Sequence, residues 1–87
     1  MSLKKLRRLN LLGLRVRVKY SSNLNLEGIE GIVIDETKNM LILKRDDGKV
    51  RKIPKNVCVF EIFNRDKRYL VNGSLLVGKI EKRLAEK

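Results

Sequence analysis

Two adjacent carboxylate pairs, Asp35-Glu36 and Asp46-Asp47, one thiol, Cys58, and no histidine are the groups from which this chain could build catalytic chemistry. The lack of histidine removes the usual general base, the Ser–His and Cys–His nucleophile pairs and most zinc sites. Asp35 and Glu36 are neighbours, so on a strand they point to opposite faces and do not converge as an acid–base pair. Asp46 and Asp47 precede a glycine in "DDGK", a setting in which Asp bonds its own turn. Neither pair has a further ligand at metal-binding spacing. Cys58 lies in the apolar run "VCVFEIF" and reads as a small buried hydrophobe. One cysteine allows no internal disulfide, which suits a reducing, cytoplasmic setting. Gly28 and Gly31 of "GIEG" do not open a helix, so they form no phosphate-cradling loop. No catalytic residue, metal ligand or bound cofactor is therefore expected in this chain.

The cations point elsewhere. Twenty-one Lys and Arg stand against ten Asp and Glu in 87 residues, a formal charge of +11. That balance fits a polyanionic partner, with nucleic acid ahead of an anionic membrane surface. In "LRVRVKY" the residues Arg15, Arg17 and Lys19 alternate with apolar ones, so they share a strand face at roughly 7 Å intervals, close to the spacing of phosphates along a nucleic-acid strand. A second group, Lys44, Arg45, Lys49, Arg51, Lys52 and Lys55, gathers around "DDGK" and "IPK". These nine residues are the candidate nucleic-acid contacts.

The elements that must hold them are short. Leu3, Leu6, Leu9 and Leu12 recur every three residues among basic ones, which predicts one or two helical turns with an apolar stripe, ended by Gly13. Too short to be stable alone, this stripe needs something to pack on. Strict alternation makes Leu14 to Tyr20 a strand, with Leu14, Val16, Val18 and Tyr20 on the buried face. "SSNLNLE" is a polar connection. Gly28 to Glu36 and Asn39 to Arg45 are two apolar strands joined by "TKN", where Asn39 can adopt a left-handed conformation. The carboxylates of the "DETKN" turn are expected to accept local backbone N–H groups and to mark a side of the molecule that RNA avoids. Gly28 and Gly31 fit a strongly bent strand that lets Ile29, Ile32, Val33 and Ile34 serve more than one buried surface. "VRKI", "VCVFEI" and Arg68 to Val71 complete a set of five or six strands, with turns at "DDGK", "PKN" and Asn72-Gly73. The tail places Ile80 and Leu84 four apart, as in a short helix.

Short strands, tight turns and no repeat predict an all-β fold, a small barrel of five to six antiparallel strands. The expected divisions are an N-terminal helical segment over 1–13, the barrel over 14–72 and a C-terminal segment over 73–87 ending in a short helix. No apolar run reaches the ~20 residues of a transmembrane helix. Only Tyr20, Phe60, Phe63 and Tyr69 are aromatic. With Tyr20 on the apolar face and the phenylalanines in core runs, no platform for base stacking is expected. The predicted target is then a folded RNA or a duplex, read through backbone and shape.

In order along the chain, "NLLGLRVRV", "GIEGIVIDETKNMLIL", "GKVRKIPKNVCVFEI" and "VNGSLLVGKIEKRL" resemble the archaeal ribonuclease P protein component 1 family, related to a human ribonuclease P subunit. The resemblance runs from Asn10 to the C-terminus, and its most specific part is "DETKN" followed by an apolar strand and "IPK". The chain departs from the family where Gly78-Lys79-Ile80-Glu81 stands in place of an Arg-Pro-Glu sequence before the last helix. The resemblance implies an Sm-like, SH3-type barrel with short helical segments at both termini. It also implies a subunit of the ribonucleoprotein endonuclease that removes the 5′ leader of precursor tRNA. There the RNA subunit is the catalyst and requires Mg2+; the protein pairs with a zinc-ribbon subunit, for which Leu3, Leu6, Leu9 and Leu12 with an adjoining sheet edge are the candidate surface, joins other ribonuclease P proteins and supports the specificity domain of the RNA. Two other readings share the barrel. "EGIEGIVID" is also similar to the KOW motif of ribosomal and transcription-elongation proteins, but that motif leaves "DETKN", "IPK" and the C-terminal block unexplained. A peptide-binding SH3-like module would need an aromatic groove.

Overall fold

In a computed structural model, residues 11–77 are described. They form one six-stranded antiparallel sheet in the order β4-β3-β2-β1-β5-β6, curled around a single core. The strands are β1 (Arg15–Ser21), β2 (Glu30–Glu36), β3 (Met40–Lys44), β4 (Val50–Pro54), β5 (Cys58–Asn64) and β6 (Lys67–Asn72). Three 3-10 turns, Leu24–Leu26, Lys55–Val57 and Gly73–Leu76, are the only helical pieces among the described residues. The six strands and the barrel-like architecture agree with the sequence expectation. Of the terminal segments expected over 1–13 and 73–87, only 11–13, a turn, and 73–77, which holds a 3-10 turn, are described; Leu3, Leu6 and Leu9 and the expected C-terminal helix lie outside the described residues.

Alternation drives the core. Val16 and Val18 of β1, Val33 of β2, Leu41 and Leu43 of β3, Ile53 of β4, Phe60 and Ile62 of β5 and Val71 of β6 all point inward and are buried. Each removes enough apolar surface from water to contribute about 1.5–3 kcal/mol. Leu26, in a connection that reads as polar, and Leu11, beside the leucine stripe rather than in it, join the same cluster. Leu12 is half exposed.

The close approach of β2 and β3 at Gly31 has a steric requirement. A Cβ there would lie 2.8 Å from the carbonyl carbon of Lys44, so only glycine lets β2 and β3 approach this closely. Gly28 has φ +85, a left-handed geometry that suits glycine. Ile29 and Val33 enter the core as the bent strand suggests. Ile34 does not: it follows the inward Val33 and faces solvent by alternation, while the register shift between Val33 and Asp35 turns Asp35 outward and Glu36 inward.

Turn chemistry follows residue type in one hairpin and one 3-10 turn and departs from expectation in a second hairpin. In the β3–β4 hairpin the Arg45 N–H donates to Lys49 O and the Gly48 N–H to Arg45 O, with Gly48 at φ +87. This is a three-residue loop closed by a left-handed glycine. Asn72 caps the last 3-10 turn by accepting the Ser74 N–H at 3.1 Å. At "TKN", however, Asn39 is not left-handed; Arg65 is the only non-glycine described residue with positive φ. That turn is closed by Thr37, whose N–H donates to Met40 O at 2.9 Å and whose hydroxyl accepts the Met40 N–H at 3.1 Å.

Candidate nucleic-acid interface

β1 lies in the middle of the sheet, between β2 and β5, so its outward side chains have neighbours on both sides. Arg15 meets two acids: Glu30 of β2 at 3.0 Å and Asp46 of the β3–β4 loop at 3.2 Å. The hydrogen bond to Asp46, then that to Glu30, raises the Arg15 pKa above its ordinary value. Arg17 bonds Glu61 of β5, and Arg68 of β6 reaches the other Glu61 oxygen at 3.2 Å. The Glu61 side chain is only 4% exposed, so its charge is stabilised by these two guanidiniums. The row that looked like a free phosphate-binding face is thus a mixed network, with Arg15, Arg17 and Arg68 set against Glu30, Glu61 and Asp46.

Lys19 is displaced from that row. The β1–β5 register shifts between Val18 and Tyr20, a β-bulge that resets the alternation. As a result Ser21 takes the buried position and accepts the Cys58 thiol hydrogen at 3.5 Å. Tyr20, expected on the core face, is instead 57% exposed, and the Lys19 ammonium stands 6.0 Å from its ring centroid. Burial pushes the Cys58 thiol pKa up, which matches a buried, inert cysteine.

The second basic group separates differently. Register pairs Lys44 with Ile32 and Val50, and Lys52 with Ile42, so Lys44 and Lys52 emerge on the outer face of the sheet. Arg51 pairs with Leu43 and emerges on the opposite side of the edge strand β4. Lys44, Lys49, Arg51 and Lys52 are exposed and Arg45 half-buried, and none makes an ion pair among the described residues. The Arg15–Asp46 contact ties this hairpin to β1, so Lys44 and Lys52 continue the surface of the paired row while Arg51 stands on the other side of the edge strand.

Lys55 does not belong to that surface. It is fully buried, and its ammonium donates to Glu36 Oε2 at 2.6 Å, Thr37 O at 2.8 Å and Leu76 O at 2.9 Å. A buried ammonium must be paired and hydrogen-bonded, and here one cation joins three segments: the β2–β3 turn, the bend after β4 and the end of the last 3-10 turn. The same corner is packed from its backbone side, because a Cβ on Gly73 would fall 2.8 Å from Cys58 O and collide with Lys55 O. Lys55 is therefore a structural residue rather than an RNA contact. The acidic stretch is corrected as well. Asp35 does accept a local N–H, from Glu36 at 2.8 Å, but Glu30 and Glu36 hold Arg15 and Lys55 across the fold. What unites "DETKN" with "IPK" is this buried ion pair. Among the described residues no group of three His, Cys, Asp or Glu could hold a metal ion, and no helix is long and apolar enough to cross a membrane.

Residues 4–86 match the ribonuclease P/MRP subunit p29 family. The chain belongs to that family. Curated relatives of the p29 group include ribonuclease P protein component 1 of Pyrococcus furiosus, 46% identical over 78 residues that make up 88% of this chain and 61% of that protein. The protein of the same name from Methanocaldococcus jannaschii is 39% identical over 77 residues, 88% of this chain and 81% of that one. A solved structure described as Mth11, a homologue of the human RNase P protein Rpp29, superposes with a TM-score of 0.63 at 36% identity, covering 86% of this chain and 97% of the other. The chain therefore spans only about three-fifths of the length of the Pyrococcus p29 relative. The family match reaches across the "DETKN", "IPK" and C-terminal blocks that a KOW motif leaves out.

Proposed function

We propose that this chain is an RNA-binding protein subunit of ribonuclease P and supports a catalytic RNA without contributing a catalytic group. The observation that carries the reading is the β3–β4 hairpin: Lys44, Arg45, Lys49, Arg51 and Lys52 project from a p29-family barrel, and none of them pairs with a carboxylate among the described residues. Cations without internal partners are available to phosphates, and each such pairing releases counterions from the RNA. Arg15 and Arg17 serve chiefly to fix the sheet and present the hairpin, since binding a phosphate would require them to leave Glu30, Asp46 and Glu61.

The mechanism is scaffolding. Folding an RNA brings phosphates together, and the repulsion is relieved by Mg2+ or by protein cations. The hairpin lowers the Mg2+ that the specificity domain of the RNA needs to hold its active fold. The protein partner is a zinc-ribbon subunit docked on the N-terminal leucine stripe, and the complex works in the cytoplasm on precursor tRNA. The test is reconstitution of ribonuclease P with the wild-type chain, without it, and with Lys44, Arg45, Lys49 and Lys52 all changed to Ala. The quadruple variant is expected to shift precursor-tRNA cleavage to higher Mg2+. It should also lower the slope of log affinity against log salt by about 0.7–0.9 for each phosphate that the protein no longer neutralises. Equal activity across the Mg2+ series with and without the chain would refute the assignment. An unchanged salt slope would refute the hairpin as the RNA-binding element.

A further inference from the structure

The bulge in β1 has a consequence at the surface. Strict alternation would hide Tyr20, and an aromatic of this size ordinarily contributes most when buried. The register shift between Val18 and Tyr20 instead turns the ring outward. Bulges of this kind re-aim a side chain and cluster near functional sites. Tyr20 now stands at the edge of a groove of about 320 Å3 between the end of β1, the bend before β5 and the end of β6. That volume is at the small end of the range of ligand clefts.

The groove is built for a flat, polar-edged ligand. Tyr20, Val59 and Asn72 are in register across β1, β5 and β6, so an aromatic face, an aliphatic side chain and an amide lie in one row. Asn72 Oδ1 already accepts the Ser74 N–H and hydroxyl, which fixes the amide and leaves its NH2 to donate. Asn56 and Ser22 also line the groove, and neither side chain is hydrogen-bonded among the described residues. Lys19 brings a cation to the aromatic edge. An exposed cation–π contact is weaker than base–aromatic stacking, so a base displaces the ammonium, which then meets the phosphate of the same nucleotide.

We infer that this groove binds one unpaired nucleotide of an RNA, with its base on the Tyr20 ring, its edge on Asn56, Ser22 and Asn72, and its phosphate at Lys19. The inference rests on the RNA-binding reading and adds a single-strand element to it. Folded RNAs present such nucleotides at bulges and loops, where bases are free to stack on aromatic side chains. One tyrosine offers a seat for one base, not a platform for a strand.

The test compares short oligouridylates and oligoadenylates with an RNA duplex as probes of the full chain, using wild type, Tyr20→Ala and Tyr20→Phe. Tyr20→Ala is expected to weaken single-strand binding by about 5- to 150-fold and to leave duplex binding unchanged, while Tyr20→Phe retains both. Single-strand affinity that is undetectable in wild type, or equal in Tyr20→Ala, overturns the inference. The hairpin variant is judged separately by duplex affinity, so either idea can fail alone. A photocrosslinker at position 20 (Tyr20→p-benzoylphenylalanine) in the reconstituted holoenzyme gives a second readout. An adduct to RNA supports the groove as a nucleotide site, and an adduct to another protein subunit alone overturns it.

Discussion

Replacing Lys55 by Met keeps most of the side-chain volume and removes the ammonium, leaving the Glu36 carboxylate, whose side chain is 1% exposed, without its lysine partner. Removing one member of a buried ion pair costs about 3–5 kcal/mol, because the remaining charge keeps its desolvation penalty. Here the ammonium also donates to carbonyls of Thr37 and Leu76, so its removal loosens three segments at once. Small proteins have about 0.05–0.15 kcal/mol of stability per residue, which for 87 residues is of order 4–13 kcal/mol. The substitution therefore removes a large share of the total. Urea unfolding followed by far-ultraviolet circular dichroism should show the midpoint falling by more than about 1 M with little change in slope. The double variant Lys55→Met/Glu36→Leu removes both charges and is expected to recover much of the stability, giving a strong coupling in the mutant cycle. A Lys55→Met protein within about 1 kcal/mol of wild type, or a double variant no better than the sum of the two single changes, would refute the view of Lys55 as a structural latch.

Gly31→Ala forces a Cβ against the Lys44 backbone and should cost about 1–3 kcal/mol by overpacking, read as a lower urea midpoint. Arg65 occupies φ 61 in the β5–β6 turn, so Arg65→Gly relieves strain of about 1–2 kcal/mol and should leave the protein no less stable, despite the added freedom of the unfolded chain. Cys58 is expected to react with a maleimide only as fast as the protein opens, and labelling at the free-thiol rate in native buffer would contradict its burial. Its raised pKa also gives a sign: the contribution is intact below the unfolded thiol value and is lost as pH rises through the higher folded one. Stability measured by urea titration at alkaline pH should therefore fall more in wild type than in Cys58→Ala.

The family resemblance also lies in the sequence, though its most specific motif, "DETKN" with "IPK", marks a structural lock rather than an RNA contact. Sequence spacing places Lys55 among the hairpin cations because it follows Lys52 in a basic run. A local reading has no means to see Glu36, which lies nineteen residues away in the chain and 2.6 Å away in space. The partners of Arg15 and Arg17 are hidden in the same way. Glu30, Asp46 and Glu61 come from β2, the β3–β4 loop and β5, and only the register of three strands brings them to β1. Tyr20 is the opposite error: alternation extrapolated one step too far, across a bulge that no residue type in "VKY" announces.

What the sequence determined by itself is local. Period-two alternation, Gly48 and Asn72 in their turns and the large positive charge all follow from residue type and near neighbours, which is why the strands are legible in the sequence. What the tertiary structure alone decided is which charges are spent and which remain. Ion pairing depends on what lies across the sheet, and burial depends on how three distant segments meet at one corner. Those meetings moved Lys55 into the interior, tied Arg15 and Arg17 to carboxylates, left the β3–β4 hairpin cations without an ion pair among the described residues and brought Tyr20 out to the edge of a groove.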